Sequence, residues 1–482
     1  MKIHLSPPKE YNGAKKSLIL AGGGMRLAYQ AGVLKAMEEE GLFFYHADGT
    51  SGGTINLAML FSGLSPVEMC DRWRKLKIKE FVSYMKMDNY LKPARMVAFG
   101  DADGIIHKVF PHLGINISNI NHAEGMPGTF NVCNYTDKIN ETITNDRLTM
   151  DYLVAGISLP VFMPPVPIRN KIYTDSVWIK DANLTEAVRR GAEEIWLVWA
   201  IGNISQYKNG AFNQYVHMIE MSANGGLSLE FDYINELNKR IINGDSPYGQ
   251  TKPVELHVIK PEYPLPLDPD LYFNKINTAT LIDLGYADAK QYLKNISPVP
   301  FSPSVTKMKD QGIVVCLRRT MQGVLTSSFK GNLLICLSLT VQNLGQFISG
   351  NGKGLQIAAH IQGSEAGIIS SAYYTHAEVI KVKGKKNIKF CCRFTSDKGN
   401  YFLISEISIY GKWHSLYKGI FRKMKVRFYK GNDEKGLFLE ESTFSPDPKQ
   451  SGDFITGIHI LNESSVWGKL KSKQKFIAFL SN

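Results

Sequence analysis

Two glycine-rich turns near the start of the chain have the residue types and spacing that acyl transfer requires. Gly49-Thr50-Ser51-Gly52-Gly53 is a G-x-S-x-G pattern between an expected strand and an expected helix. A sharp strand-to-helix turn pushes a serine hydroxyl out at the edge of a sheet, and flanking glycines relieve the crowding. The amide of Gly52 and the helix N-terminus can then help hold a developing oxyanion. With 42 Gly in 482 residues, about 0.3 such patterns arise by chance, so the strand–turn–helix setting adds the weight. Gly22-Gly23-Gly24-Met25-Arg26 is a second such turn. Consecutive glycines let backbone N–H groups converge on an anion, as an oxyanion hole does. A phosphate loop is the rival, but neither G-x-x-x-x-G-K-[ST] nor G-x-G-x-x-G fits. A bare tight turn is the third reading.

A serine nucleophile needs a base. Asp175, after the short run KIYT, gives a Ser51–Asp175 dyad. The rival is a triad in the order Ser51, Asp175, His257. His257, however, lies inside VELHVI, a strand interior, where a satisfied structural histidine is the simpler reading. Asp181 is a second acid close to Asp175.

The elements that must carry these groups alternate. Residues 17–21 read as a buried strand, 25–40 as a helix stopped by Gly41, and 42–47 as the next strand. An apolar helix from Thr54 to Phe61 follows the serine turn. Ser65-Pro66-Val67-Glu68 has the form of a capping box opening a helix through Lys77. Strand signals return at 129–134 and 194–200, with a helix at about 184–190 between them. Such alternation predicts a mostly parallel α/β sheet. Residues 296–311, rich in proline and serine, read as a linker. Beyond it, strand runs at 333–341, 388–394, 401–409 and 424–429 are broken by glycines, as in an antiparallel sandwich or barrel. MQGVL at 321–325 and YKGIF at 417–421 are too short to count as a repeat.

Composition bounds the partners. Hydrophobic residues at 44% and charged residues at 21% exclude global disorder. No uninterrupted apolar run is long enough for a spanning helix, and 152–168 carries four prolines. Lys15-Lys16 before SLILAGGGM imitates a secretory signal, but Arg26 ends the apolar stretch too soon. A cytoplasmic or peripheral-membrane protein is expected. The six cysteines show neither a disulfide framework nor zinc spacing, so no metal and no cofactor are expected. The net charge of +12 divides unevenly. From Gly312 onward there are 24 Lys+Arg against 11 Asp+Glu, a balance of +13, which leaves −1 for the residues before it.

Residues 18–61 resemble the opening of patatin-like phospholipases. AGISLPVFMPPV at 155–166 is similar to the stretch that precedes the catalytic Asp in that family, and 174–198 to its Asp-Gly-Gly/Ala block with the following strand. The resemblance covers roughly residues 17–290. It implies a three-layer α/β/α fold and calcium-independent hydrolysis of lipid acyl esters by a Ser–Asp dyad. Ser51 would be the nucleophile and Asp175 the base, with Gly22, Gly23, Gly24 and Arg26 in the oxyanion region. Two positions depart from the pattern. Leu27 replaces a glycine, and Asp175-Ser176-Val177 replaces Asp-Gly-Gly/Ala, which opens the alternative of a catalytically inactive lipid-binding or effector protein. Residues 337–348 and 411–419 faintly resemble a β-rich segment of some bacterial cholesterol-oxidase-like proteins.

The expected layout is therefore an acyl hydrolase domain over 1–295, a linker over 296–311 and a basic β-rich accessory domain over 312–482. The expected partners are a lipid or phospholipid substrate and, for the accessory domain, an anionic membrane surface; no nucleic-acid partner is expected. The bases expected to meet that surface are Lys381, Lys383, Lys385, Lys386 and Lys389, and Arg422, Lys423, Lys425 and Arg427.

Overall fold

The computed structural model describes residues 2–481 except 82, 86–89, 92–95, 268, 270, 272–275, 327–330, 364–368, 383–384, 397–398, 410–420, 448–456 and 464. Lys383, the 411–419 segment and most of 417–421 thus lie outside the described residues. The chain divides into two compact units, residues 1–274 with 288–310, and residues 275–287 with 311–482.

The first unit is built on strands β1 (Lys16–Leu20), β2 (His46–Thr50), β3 (Gly128–Asn134), β4 (Ile139–Thr144), β5 (Val166–Ile168), β6 (Lys171–Thr174), β7 (Glu194–Val198) and β8 (Glu255–Ile259). Their order is β5-β6-β3-β2-β1-β7-β8, with β4 beside β3. The contacts among β3, β2, β1, β7 and β8 are all parallel, and β4, β5 and β6 join antiparallel.

Helices cover both faces. Strand alternation puts Ile19, Ile195, Leu197, Leu256 and Val258 on one side. There they share a buried cluster with Ala187 and Val188 of α4 (Leu184–Arg189) and Leu227, Phe231 and Ile234 of α5 (Ala211–Ile242). On the other side lies α2 (Gly53–Phe61). Its Leu57 sits over Gly49, and its Phe61 meets Phe130 edge-on at 6.2 Å. Helices α1 (Ala28–Glu39) and α3 (Pro66–Lys75) pack against each other. The capping box forms as expected: Ser65 Oγ accepts the Glu68 N–H, and Glu68 Oε2 accepts the Ser65 N–H.

Two expectations are corrected. The second strand is HADGT rather than LFFYHA. Phe44 instead folds over the sheet end against Trp196 at 6.3 Å. The proline-rich segment is also not a free tether, since Val299 bridges to Leu256 and both Phe301 and Met308 join the buried cluster.

The second unit contains β9 (Val314–Leu325), β10 (Gly331–Val341), β11 (Leu355–Gly363), β12 (Ile369–Val382), β13 (Lys385–Ser396), β14 (Gly399–Ile409), β15 (Phe421–Lys430), β16 (Leu437–Pro446) and β17 (Ile458–Leu461). Every pairing is antiparallel, and because β9 pairs with both β10 and β16 the sheet curls round and closes on itself. Alternate residues of β10, from Leu333 through Ile335, Leu337 and Leu339 to Val341, point into an apolar interior. Phe347 of α6 (Leu344–Ser349) and Phe476, Ile477 and Leu480 of α7 (Val466–Ser481) belong to the same cluster.

Candidate active site

The two glycine turns leave the C-terminal ends of adjacent parallel strands. Leu20 of β1 pairs with Gly49 of β2, so the turns after them sit side by side. Binding crevices in open α/β sheets form at this edge. Ser51 adopts φ +50, the left-handed region that a non-glycine residue takes only when its surroundings enforce it. Enforcement is visible behind it: a Cβ on Gly53 would lie 2.0 Å from the Leu20 carbonyl oxygen, so α2 can begin this close to β1 only with glycine there.

β6 leads into Asp175. Its Thr174 pairs with Cys133 of β3, and Asp175 follows at once. Ser51 Oγ donates to Asp175 Oδ2 at 2.6 Å, while Asp175 Oδ1 accepts the Val177 N–H at 2.9 Å. The Asp175 amide donates to the Ser158 carbonyl at 3.1 Å, fixing the backbone. Burial pushes the Asp175 carboxyl up to about 7, against the pull of the Ser51 and Val177 hydrogen bonds. Ser176 and Val177 stand where the resemblance implies glycines. Neither has positive φ, so this backbone does not require glycine. Ser176 Oγ donates to Asn140 and to the Lys180 carbonyl, and Val177 is part of the core cluster.

The first glycine turn is braced from behind. Arg26 Nε donates to the Gly23 carbonyl at 2.8 Å, Gln30 Nε2 to the Ala21 carbonyl at 2.6 Å, and Asn56 Nδ2 to the Leu27 carbonyl at 2.9 Å. Trp73 Nε1 in turn donates to Asn56 Oδ1 at 2.9 Å. Leu27 fills the space above Gly52, where a Cβ would meet its side chain at 2.3 Å, so the larger residue at 27 depends on glycine at 52. The Gly22 N–H is already engaged: it donates to Asp181 Oδ2 at 3.1 Å. Gly23, Gly24 and Gly52 line the cleft beside Ser51, and Gly22 does not.

That cleft has a volume of about 550 Å³ and is walled mostly by apolar side chains, among them Ile55, Phe99, Leu159, Phe162 and Met163. Phe162 is its hub, with ring centroids 6.2 Å from Phe99, 6.4 Å from Phe212 and 5.2 Å from Tyr215. The preceding residue, Val161, is held at φ +77. Its carbonyl accepts the Phe99 N–H, and Tyr215 Oη donates to the Pro160 carbonyl at 2.6 Å.

His257 is not part of this arrangement. It stacks on Trp196 at 4.3 Å, bonds Tyr292 Oη through Nδ1 at 2.9 Å, and lines a separate recess with Lys16 and Glu194. Among the described residues no group of three or more His, Cys, Asp or Glu side chains could hold a metal ion. No helix among them is long and apolar enough to cross a membrane.

Sequence reading missed the polar layer under the serine turn. Asp48 is fully buried; it accepts from Thr129 Oγ1 at 2.6 Å and Asn131 Nδ2 at 2.7 Å. His46 Nε2 lies 2.8 Å from Thr129 Oγ1, and Asn183 Nδ2 donates to Asn131 Oδ1 at 2.8 Å. Burial pushes Asp48 up to about 7 and His46 down to about 3, so both sit uncharged below neutral pH. Asn56, a lone amide in an apolar helix, was the available signal for the brace; nothing local marked Asp48 or Asn131.

Residues 18–188 match the family model described as patatin-like phospholipase. No curated protein matches the chain. Among solved structures, the crystal structure of VipD from Legionella pneumophila is similar at 12% identity and a TM-score of 0.34, over 61% of this chain and 69% of that one. The match of residues 18–188 stops well before the second unit, whose resemblance to cholesterol-oxidase-like segments gains no support from it. Residues 18–188 thus form a patatin-like phospholipase domain.

Proposed function

We propose that the first unit is a serine lipid acyl hydrolase with Ser51 as nucleophile and Asp175 as general base. The observation that carries this reading is the 2.6 Å contact between Ser51 Oγ and Asp175 Oδ2 at an apolar cleft. Ser51 Oγ attacks the ester carbonyl carbon while Asp175 takes its proton. The carbonyl oxygen gains negative charge, which the amides of Gly23, Gly24 and Gly52, three residues lining the cleft beside Ser51, would hold. The alcohol leaves with the proton from Asp175, and water then attacks the acyl–Ser51 ester with Asp175 again as base. The walls of the cleft suit a fatty acyl chain better than a polar head group.

The second unit is read as an accessory module that meets anionic membrane. The basic stripe on β15 is less suited to this than its composition suggests. Lys423, Lys425 and Arg427 do project from one face, alternating with buried Met424, Val426 and Phe428. But Lys425 pairs across the sheet with Glu406, which itself pairs with Lys389, and Arg427 pairs with Glu441. Lys386 is buried, with Nζ on the Phe479 carbonyl. α7 fits better. It carries four lysines and no acid, and it exposes Val466, Trp467 and Leu470. An exposed Trp467 with lysines close by suits the water–lipid boundary, where amphipathic rings and long cationic side chains settle.

The test is active-site labelling with a fluorophosphonate probe, together with fatty-acid release from phosphatidylcholine vesicles. Both are expected from the wild type and from neither Ser51→Ala nor heat-denatured protein. A folded wild type that stays unlabelled, yet binds lipid, would make the chain an inactive lipid-binding protein instead.

A further inference from the structure

Asp181 lies beside the Ser51–Asp175 pair and has no part in the mechanism above. It follows β6 by a short turn and is fully buried. Oδ2 accepts the Gly22 N–H at 3.1 Å, whereas Oδ1 has no hydrogen-bond partner. The fit around Gly22 is tight: a Cβ there would lie 2.3 Å from Asp181 Oδ1 and 2.9 Å from Ser51 Cβ. Gly22 is thus pressed between Asp181 and the nucleophile. A displacement of Asp181 would be passed directly to the glycine turn.

A buried carboxylate oxygen with no partner is costly, and a second carboxylate in the same site makes it more so. The charged groups that bear on Asp181 are Asp175, at the end of β6, and Arg26, in the glycine turn. Arg26 has its Nε turned to the Gly23 carbonyl. We propose that Asp181 is a positioning residue that works in its protonated form, holding the Gly22 amide so that the following glycines face the oxyanion. The proposal rests on reading Ser51 and Asp175 as the working pair. Burial first, and the Asp175 charge second, raise the Asp181 carboxyl well above the ordinary range, with the Gly22 amide and Arg26 opposing. Asp175 ionises to act as base, and its charge keeps the proton on Asp181. Two carboxyls with unlike protonation then serve one site, a division that environment alone can impose.

The test compares Asp181→Asn with Asp181→Ala in the full chain, using p-nitrophenyl butyrate across pH. Asparagine reproduces the shape of the protonated acid and can still accept from Gly22. Wild-type kcat should decline on the alkaline side, as Asp181 ionises. Asp181→Asn should keep kcat within about tenfold of wild type and lack that decline. Asp181→Ala orphans the Gly22 N–H and should lose about a hundredfold or more in kcat with little change in KM. A second readout needs no turnover. At pH 8.5, where Asp48 and Asp175 with carboxyls at about 7 are mostly ionised, the infrared difference between Ser51→Ala and Ser51→Ala/Asp181→Asn should contain a protonated-carboxyl band that belongs to Asp181. Absence of that band overturns the proposal. So does an Asp181→Asn enzyme as impaired as Asp181→Ala while circular dichroism shows both folded. A wild type without turnover but with the band intact would defeat the Ser51–Asp175 reading and leave the protonation of Asp181 supported.

Discussion

The interiors of the two units are built on opposite principles. Beneath Ser51 the sheet buries Asp48, His46, Thr129, Asn131 and Asn183 in one hydrogen-bonded layer. The closed sheet of the second unit fills its interior with Leu, Ile, Val, Phe and Met almost throughout. A polar layer fixes the direction of each partner, because an unmade bond in a buried site costs more than a made one returns. An apolar interior fixes volume and little else. The first unit can therefore hold a serine at a strained φ and an aspartate 2.6 Å away. The second presents a surface over an interior cluster that, among the described residues, is mostly apolar.

The largest expected effect tests the directional side of that contrast. Asp175→Asn should lower kcat by about three to four orders of magnitude, as loss of a general base does. His257→Ala should leave kcat near wild type and lower thermal stability, and the reverse result would restore the triad reading. With Asp175 as base and its carboxyl at about 7, kcat/KM should rise with pH up to about 7, ahead of the alkaline decline set by Asp181. A profile already flat from pH 5 would remove Asp175 as the base.

Next comes the volume-filling side. Phe390 is fully buried in the second unit. Phe390→Ala should cost about 3–5 kcal/mol in denaturant unfolding, with soluble-ester hydrolysis kept while the protein remains folded. A cost below about 1 kcal/mol would mean that the interior collapses freely around the gap.

A smaller effect lies in the polar layer. Asp48 is raised from 3.8 to about 7 on folding. Its favourable contribution is complete below the unfolded value and is lost as pH rises through the folded one. Asp48→Asn should therefore gain stability relative to wild type between pH 4 and pH 8, by a few kcal/mol at most. His46 has the opposite sign: held down at about 3, it contributes fully above 6.5 and loses that contribution as pH falls. An Asp48→Asn difference that does not vary with pH would show Asp48 to be ionised in the folded protein.

The smallest effect concerns the surface. Lys425→Glu with Arg427→Glu should weaken binding to phosphatidylserine vesicles less than Lys471→Glu with Lys475→Glu, since Lys425 and Arg427 already pair across the sheet with Glu406 and Glu441. A loss of about fivefold per charge on α7 is expected. Equal losses at both places would return the β15 face to the role its composition suggested.

What could be read from the sequence follows the range of the interactions. Both glycine turns, the Ser65–Glu68 box and the strand at 401–409 depend on neighbours within a few residues, and all stand where pattern placed them. β2 was misplaced because HADGT has poor strand propensity. Its Asp48 and His46 are stabilised by Thr129 and Asn131, about eighty residues away. The Gly22–Asp181 bond spans a still longer separation, which is why Gly22 looked like an oxyanion donor. In the second unit, alternation revealed the inward residues of β15 but not Glu406 of β14 and Glu441 of β16, which face its Lys425 and Arg427.

The division of the chain has a consequence for how the protein emerges from the ribosome. Residues 275–287 belong to the second unit, yet 288–310, made after them, belong to the first. The earlier segment includes Thr280, whose hydroxyl meets Ser338 Oγ at 2.6 Å, and the buried Leu281 and Ile282. During synthesis this stretch must wait, exposed, until β10 is translated, while the first unit still lacks Phe301 and Met308. A fragment started at Gly312 would omit it altogether. Cutting the gene where composition changes therefore yields two incomplete products, and a break after residue 287 would fall inside the helix Thr278–Lys294.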